Sequence, residues 1–287
     1  MHSSPTQYLC LALFPLVATT EVVAIPVATG LAALFPVSNS VAEWTTLPGA
    51  PGALTLSDAT LKPFKVMSGT THDYVAAPDG KLAMEAIYPK GLYKEPRGGS
   101  SFYAPGPDTV DFTTARELTF GYSIMFPQGF QFVKGGKLPG IYPTCFSARL
   151  MWRPQGAGEL YTYLPDPSDP KYAANEKLCT MPQSQCNPTY GASISRGAFT
   201  FPTGEWLTVS ERMKLNTAGQ ADGELELFVG GKSVISATWI IIRDSDEGRM
   251  RGIQFQTFFR SATADWASPV NQTAFFTDFS VAIISTL

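Results

Sequence analysis

Between Phe130 and Tyr163, four cations (Lys134, Lys137, Arg149 and Arg153) stand against a single acid, Glu159, in a chain of 287 residues whose net charge is -3. Two runs in this segment alternate so that their polar groups gather. From Phe146 to Arg153, the residues Ser147, Arg149, Met151 and Arg153 share one strand face, opposite Phe146, Ala148, Leu150 and Trp152. In the next run Glu159, Tyr161 and Tyr163 face away from Leu160, Thr162 and Leu164. Pro154-Gln155-Gly156-Ala157-Gly158 reads as a five-residue hairpin loop between them. That loop would set Arg153 across from Glu159, Met151 from Tyr161 and Arg149 from Tyr163. One reading is an ordinary solvated face, because cross-strand Arg–Glu and Arg–Tyr pairs are common. The other is a site for a sugar acid, with rings packing on the pyranose and arginine binding the carboxylate bidentately.

β-Elimination on a uronic acid suits these groups. The proton at carbon 5 is acidic because a carboxylate lies next to it, and its removal builds charge that cations must neutralise. A base takes the proton and an acid protonates the leaving oxygen. With only two histidines, His2 and His72, tyrosine is the natural agent. Its pKa of about 10 falls when a neighbouring arginine or lysine stabilises the phenolate, as Arg149 and Lys137 would do for Tyr163. Other chemistries fit less well. Glycoside hydrolysis needs two carboxylates flanking the bond; Asp222, Glu224 and Glu226 are the best local set, and they lie far along the chain from the basic face. A Ser-His-Asp triad would have to recruit His72, with no Gly-x-Ser-x-Gly elbow beside it. His72 is therefore expected to be a satisfied structural histidine. Neither the histidines nor the cysteines supply a usual zinc set, so no metal and no cofactor are expected.

The elements that must position this face are short. Leu118 to Phe126, Phe146 to Arg153, Leu160 to Leu164, Leu207 to Leu215, Glu224 to Val229, Ser233 to Ile242, Gly252 to Phe259 and Phe275 to Ile284 are strand-length runs rich in aromatic or β-branched residues. Val229-Gly230-Gly231-Lys232 is a hairpin turn between two of them. No helical period is sustained, and the fold class expected is all-β, an antiparallel β-sandwich of jelly-roll type. Tyr8 to Ala18 reads as the core of a signal peptide, with Ala24 and Ala28 as cleavage points. The organisation expected is a signal peptide over 1–28, an irregular lead-in over 29–55 and one domain over 56–287. Secretion would remove Cys10 and favour a Cys179–Cys186 disulfide, leaving Cys145 over. Asn271-Gln272-Thr273 is a glycosylation acceptor. The acidic balance argues against a nucleic-acid partner, and no later segment reaches membrane-spanning length. A secreted, extracellular monomer is the expectation.

At these residues the chain resembles polysaccharide lyase family 14, in particular its secreted fungal branch. The stretches that carry the resemblance are Ala77-Pro78-Asp79-Gly80-Lys81-Leu82, Pro96-Arg97-Gly98-Gly99, Phe102-Tyr103-Ala104-Pro105-Gly106-Pro107, Lys134-Gly135-Gly136-Lys137-Leu138-Pro139-Gly140, Ser147-Ala148-Arg149-Leu150-Met151-Trp152-Arg153, Gly156-Ala157-Gly158-Glu159-Leu160-Tyr161-Thr162-Tyr163 and Arg251-Gly252-Ile253-Gln254-Phe255-Gln256-Thr257-Phe258-Phe259. The resemblance implies a jelly roll whose concave face binds an acidic polysaccharide such as alginate or glucuronan. It implies catalytic roles for Lys137, Arg149, Tyr161 and Tyr163 and a substrate contact from Ser147, and Arg153 and Glu159, which share the hairpin face with them, are expected to contact substrate as well. Gln254 and Gln256 either line the cleft or form the polar side of a strand, and Arg97 is either a ligand or a loop cation. The chain departs from the family where only Ile141 to Phe146 joins the Lys-Leu-Pro-Gly motif to the Ser-x-Arg strand. A shorter connection there could draw Lys137 out of the cleft. A catalytically inactive carbohydrate-binding protein on the same scaffold is the alternative reading.

Overall fold

In the computed structural model, which describes residues 27–93, 98–143, 146–259 and 263–287, each of the eight alternating runs is a strand. Among these residues fifteen strands form: β1 (Ala42–Thr45), β2 (Tyr74–Ala76), β3 (Leu82–Tyr88), β4 (Ser100–Ala104), β5 (Ala115–Met125), β6 (Gly136–Pro143), β7 (Ser147–Trp152), β8 (Ala157–Tyr163), β9 (Gln185–Asn187), β10 (Gly191–Thr200), β11 (Trp206–Lys214), β12 (Gly223–Val229), β13 (Lys232–Ile240), β14 (Met250–Phe259) and β15 (Gln272–Thr286). Three short α-helices accompany them: α1 (Val27–Leu34), α2 (Asp58–Leu61) and α3 (Glu176–Thr180). One antiparallel sheet runs β13-β12-β11-β5-β15-β3-β2, with β1 added on β15; the other runs β4-β14-β6-β7-β8-β10-β9. Their inner faces bury one core that includes Phe120, Tyr122, Leu138, Ala148, Leu150, Trp152, Leu160, Phe255 and Phe276. The chain is a β-sandwich of jelly-roll type.

Parity along the strands decides which residues enter that core. Ala148, Leu150 and Trp152 of β7 point inward with Phe146, so Ser147, Arg149 and Met151 face out. The pairing, however, is two residues away from the sequence expectation. Trp152 pairs with Gly158, Met151 with Glu159, Arg149 with Tyr161 and Ser147 with Tyr163. The connection is only Pro154 to Gly156, a tight turn that Gln155 (φ +62) and Gly156 (φ +77) close in the left-handed region. Because the displacement is even, every side chain keeps its face and only its cross-strand partner changes.

Strands β6 and β10 have no apolar alternation to betray them. β6 carries Gly136, Pro139 and Gly140, and β10 carries Gly191 and Gly197. The stretch read as an irregular lead-in is also structured. Leu34 of α1 is buried with Leu47 and Ala50, Ser210 Oγ donates to the Leu34 carbonyl over 3.2 Å, and β1 pairs with β15. The Gly230-Gly231 turn joins Val229 to Lys232 with both glycines at positive φ, as a two-residue hairpin needs. The disulfide between Cys179 and Cys186 ties α3 to β9.

Candidate active site

Four adjacent strands, β14, β6, β7 and β8, carry the polar groups on the outer face of the second sheet. The pairing of β6 with both neighbours shifts register across Leu138 and Pro139. Without that shift, Pro139 would stand opposite Arg149; with it, Gly140 does. Nothing larger fits, since a Cβ on Gly140 would lie 2.1 Å from the Ala148 carbonyl and 2.9 Å from Arg149 Cγ. The irregularity thus re-aims the strand, a common use of bulges near active sites.

Lys137 sits at the centre, only 2% exposed. Its Nζ lies 3.1 Å from the centre of the Tyr161 ring and 5.2 Å from that of Tyr163, a cation held on π faces. The two tyrosine rings meet edge to face at 5.5 Å. Arg149 Nη1 donates to Gln256 Oε1 over 2.7 Å, and the same oxygen accepts from Gln254 Nε2 over 2.8 Å. Gln256 Nε2 in turn donates to Ser101 Oγ over 3.1 Å. Gln254 and Gln256 therefore hold the Arg149 guanidinium through a shared amide oxygen. Ser147 stands directly opposite Tyr163.

Two sequence expectations are corrected here. Glu159, expected to meet substrate, has no exposed surface at all. It accepts from Arg153 Nη2 over 2.5 Å, Ser193 Oγ over 2.6 Å and Arg196 Nε over 3.0 Å. Arg153, likewise buried, completes this ion pair, and its guanidinium lies 5.9 Å from the centre of the Tyr161 ring. The basic surroundings do not lower the pKa of Tyr161. Burial, reinforced by Tyr163, pushes it up to about 12 and outweighs the opposing charge of Arg153. Tyr161 stays protonated, and its hydroxyl donates to the Tyr190 carbonyl.

The other sequence candidates lie elsewhere. His72 Nε2 is 3.2 Å from Asp58 Oδ2, and its ring packs on Phe102. Glu224 and Glu226 join Arg212, Lys214 and Glu117 in ion pairs on the outer side of the other sheet, and Asp222 closes a turn through Thr217. Asn271 is exposed, its Oδ1 accepting the Lys90 N–H over 2.8 Å. Arg97, Cys145 and the leader with Cys10 lie outside the described residues. Of the connection from Ile141 to Phe146, Ile141 to Pro143 is still strand, and Ile141 pairs with Ala148.

Sequence reading missed Glu211. This β11 residue belongs to the opposite sheet and is buried, and its Oε2 accepts the Ile141 N–H over 3.2 Å. Next to it, the Tyr122 hydroxyl donates to the Pro139 carbonyl over 3.2 Å. Two core polar groups thus satisfy the main chain of β6 just past Lys137. Burial pushes the Glu211 carboxyl well above the ordinary range, against the Ile141 hydrogen bond and the charge of Arg149. Its pKa is higher folded than unfolded, so its contribution to stability is full below about pH 4.3 and is lost as pH rises through the folded value. Glu211→Gln, which cannot ionise, is expected to raise Tm near neutral pH and to show no gain near pH 4. Thermal melts of both proteins across that range check it, and a pH-independent difference would refute it.

A cavity of about 760 Å³ opens beside Tyr163, lined in part by Leu164, Tyr172, Leu178, Pro188 and Gly191.

Known proteins share this arrangement of strands. The family model described as polysaccharide lyase 14 matches residues 76–279. No curated protein matches the chain. Among solved structures, the PL-14 alginate lyase from Aplysia kurodai is similar over 86% of this chain and 100% of its own, at 24% identity and a TM-score of 0.70. The alginate lyase vAL-1 from Chlorella virus covers 78% of this chain and 93% of its own, at 22% identity and a TM-score of 0.59. A variant of the alginate lyase Aly36B with a lysine and a tyrosine replaced by alanine, in complex with alginate tetrasaccharide, covers 77% and 87% at 16% identity and a TM-score of 0.58. At these identities the likeness is one of fold.

Proposed function

The chain belongs to the polysaccharide lyase 14 family, and from that premise we propose that it cleaves a polyuronate of the alginate or glucuronan type by β-elimination outside the cell. The observation that carries this reading is the Lys137 ammonium lying 3.1 Å over the Tyr161 ring, with Tyr163 beside it. Arg149 takes the substrate carboxylate while Gln256 holds the guanidinium in place. The Tyr163 oxygen removes the proton at carbon 5. The freed electron pair forms the double bond between carbons 4 and 5, and the bond from carbon 4 to the glycosidic oxygen breaks. Tyr163 then returns a proton to that oxygen. Lys137 and Arg149 neutralise the charge that builds on the carboxylate meanwhile. Tyr161, protonated and tied to the Tyr190 carbonyl, orients Lys137. The alginate tetrasaccharide bound by the Aly36B variant is in keeping with an acidic polymer as substrate.

Secretion is supported by the Cys179–Cys186 disulfide and by the exposed Asn271. Since α1 packs on the sheet from Leu31 onward, cleavage after Ala24 would leave the helix whole. The alternative, an inactive carbohydrate-binding protein, draws on the short connection between β6 and β7. Incubation of protein secreted into culture medium with alginate and with glucuronan separates the two. A rise in ultraviolet absorbance from unsaturated ends is expected. No rise on any polyuronate, with oligosaccharide still retained, establishes the binding protein. N-terminal sequencing of the same material checks the leader, and recovery of Met1 would refute its removal.

A further inference from the structure

The turn between β9 and β10, Asn187 to Gly191, stands against Tyr161 and Tyr163, and the Tyr190 side chain at its tip has no role in the chemistry above. Tyr190 at its tip is 67% exposed. Its main chain is nevertheless fixed. The Tyr161 hydroxyl donates to the Tyr190 carbonyl. Asn187 Oδ1 accepts the N–H groups of Thr189 over 2.9 Å and Tyr190 over 3.0 Å. Gly191, at φ +89, approaches Tyr163 so closely that a Cβ there would lie 3.1 Å from the ring. The disulfide anchors β9 to α3 below the turn. An exposed aromatic ring on a backbone already held in one shape loses little conformational freedom when a ligand packs on it.

We propose that Tyr190 is a stacking platform for a pyranose ring of the polymer, next to the sugar that is cleaved. The inference rests on the polyuronate reading and adds a subsite to it. Tyrosine suits such a platform because its ring face takes the C–H face of a sugar while the hydroxyl stays in water. Asn187, Pro188 and Gly191 of this turn, together with Tyr163 of β8, line the cavity of about 760 Å³, and Tyr190 is not among its lining residues. None of Asn187, Pro188, Thr189, Tyr190 and Gly191 is charged. The contact is apolar, in contrast to the salt-sensitive grip of Arg149.

Because the link to Tyr161 runs through the Tyr190 carbonyl, truncating the side chain spares it. Tyr190→Ala is expected to raise KM on the polymer about tenfold, ~1.4 kcal/mol, with kcat near wild type, and Tyr190→Phe to keep the wild-type KM. Isothermal titration with a defined oligouronate in the Tyr163→Phe background reads the same loss as Kd without turnover. Unchanged KM and Kd in Tyr190→Ala overturn the platform. A fall in kcat at constant KM overturns it too, since the ring would then act through Tyr161. Phenylalanine as weak as alanine also overturns it. Tenfold weaker titration in a protein without turnover would sustain the platform and refute the lyase; turnover with Tyr190→Ala indistinguishable from wild type would do the reverse. Absence of oligouronate binding and turnover in the wild type would refute both.

Discussion

Tyr163→Phe is expected to lower kcat on a polyuronate by roughly 10²–10⁴-fold, the range of general acid–base catalysis, while oligosaccharide affinity stays close to wild type. The substitution removes one oxygen and keeps the ring that packs on Tyr161 and Gly191. Steady-state kinetics with titration of a short oligouronate measure both quantities. Tyr161→Phe is the control. The Tyr161 hydroxyl is held by the Tyr190 carbonyl, and its pKa of about 12 keeps it protonated at neutral pH. Its loss should cost much less than that of Tyr163. If Tyr161→Phe abolishes turnover and Tyr163→Phe does not, the two roles are exchanged.

This contrast between neighbouring tyrosines could not be read from the chain, and the reason is physical. Alternation placed Arg149, Tyr161 and Tyr163 on one face correctly, because the apolar parity of Ala148, Leu150 and Trp152 leaves them no other. It could not place them against one another. The hairpin closes through three residues in place of five, a choice made by positive φ at Gln155 and Gly156, and this sets Arg149 opposite Tyr161. Nor does composition reveal that Tyr161 is buried enough for desolvation to outweigh a nearby arginine. Glu159 illustrates the same limit. A lone acid among cations suggests a polar contact with substrate, but its three donors lie on the turn after β7 and on β10, and β10 has no apolar alternation to signal it. Glu211 is hidden further, because its partner Ile141 belongs to the other sheet and is 70 residues away in sequence. Strands carried by period-two patterns were legible, and contacts across sheets were not.

Lys137→Met is expected to reduce kcat by roughly 10²–10³-fold, the size of losing one preorganised charge at the developing anion, and to leave Tm unchanged or raised. Methionine matches the unbranched stem of lysine and fills the same space without the ammonium. A cation that is 2% exposed costs desolvation even when aromatic faces and other partners surround it. Replacing such a charge with an apolar group of similar volume is often neutral or stabilising. Lower activity together with equal or greater stability is the signature of a residue kept for its chemistry. The same variant bears on the short connection after Pro143. A lysine drawn out of the cleft would be silent on replacement, whereas one that lies over Tyr161 and neutralises the substrate carboxylate would not. Loss of both activity and Tm would instead make Lys137 a structural support of the Tyr161 ring. Kinetics on the polymer and thermal melts of the same preparation distinguish these outcomes.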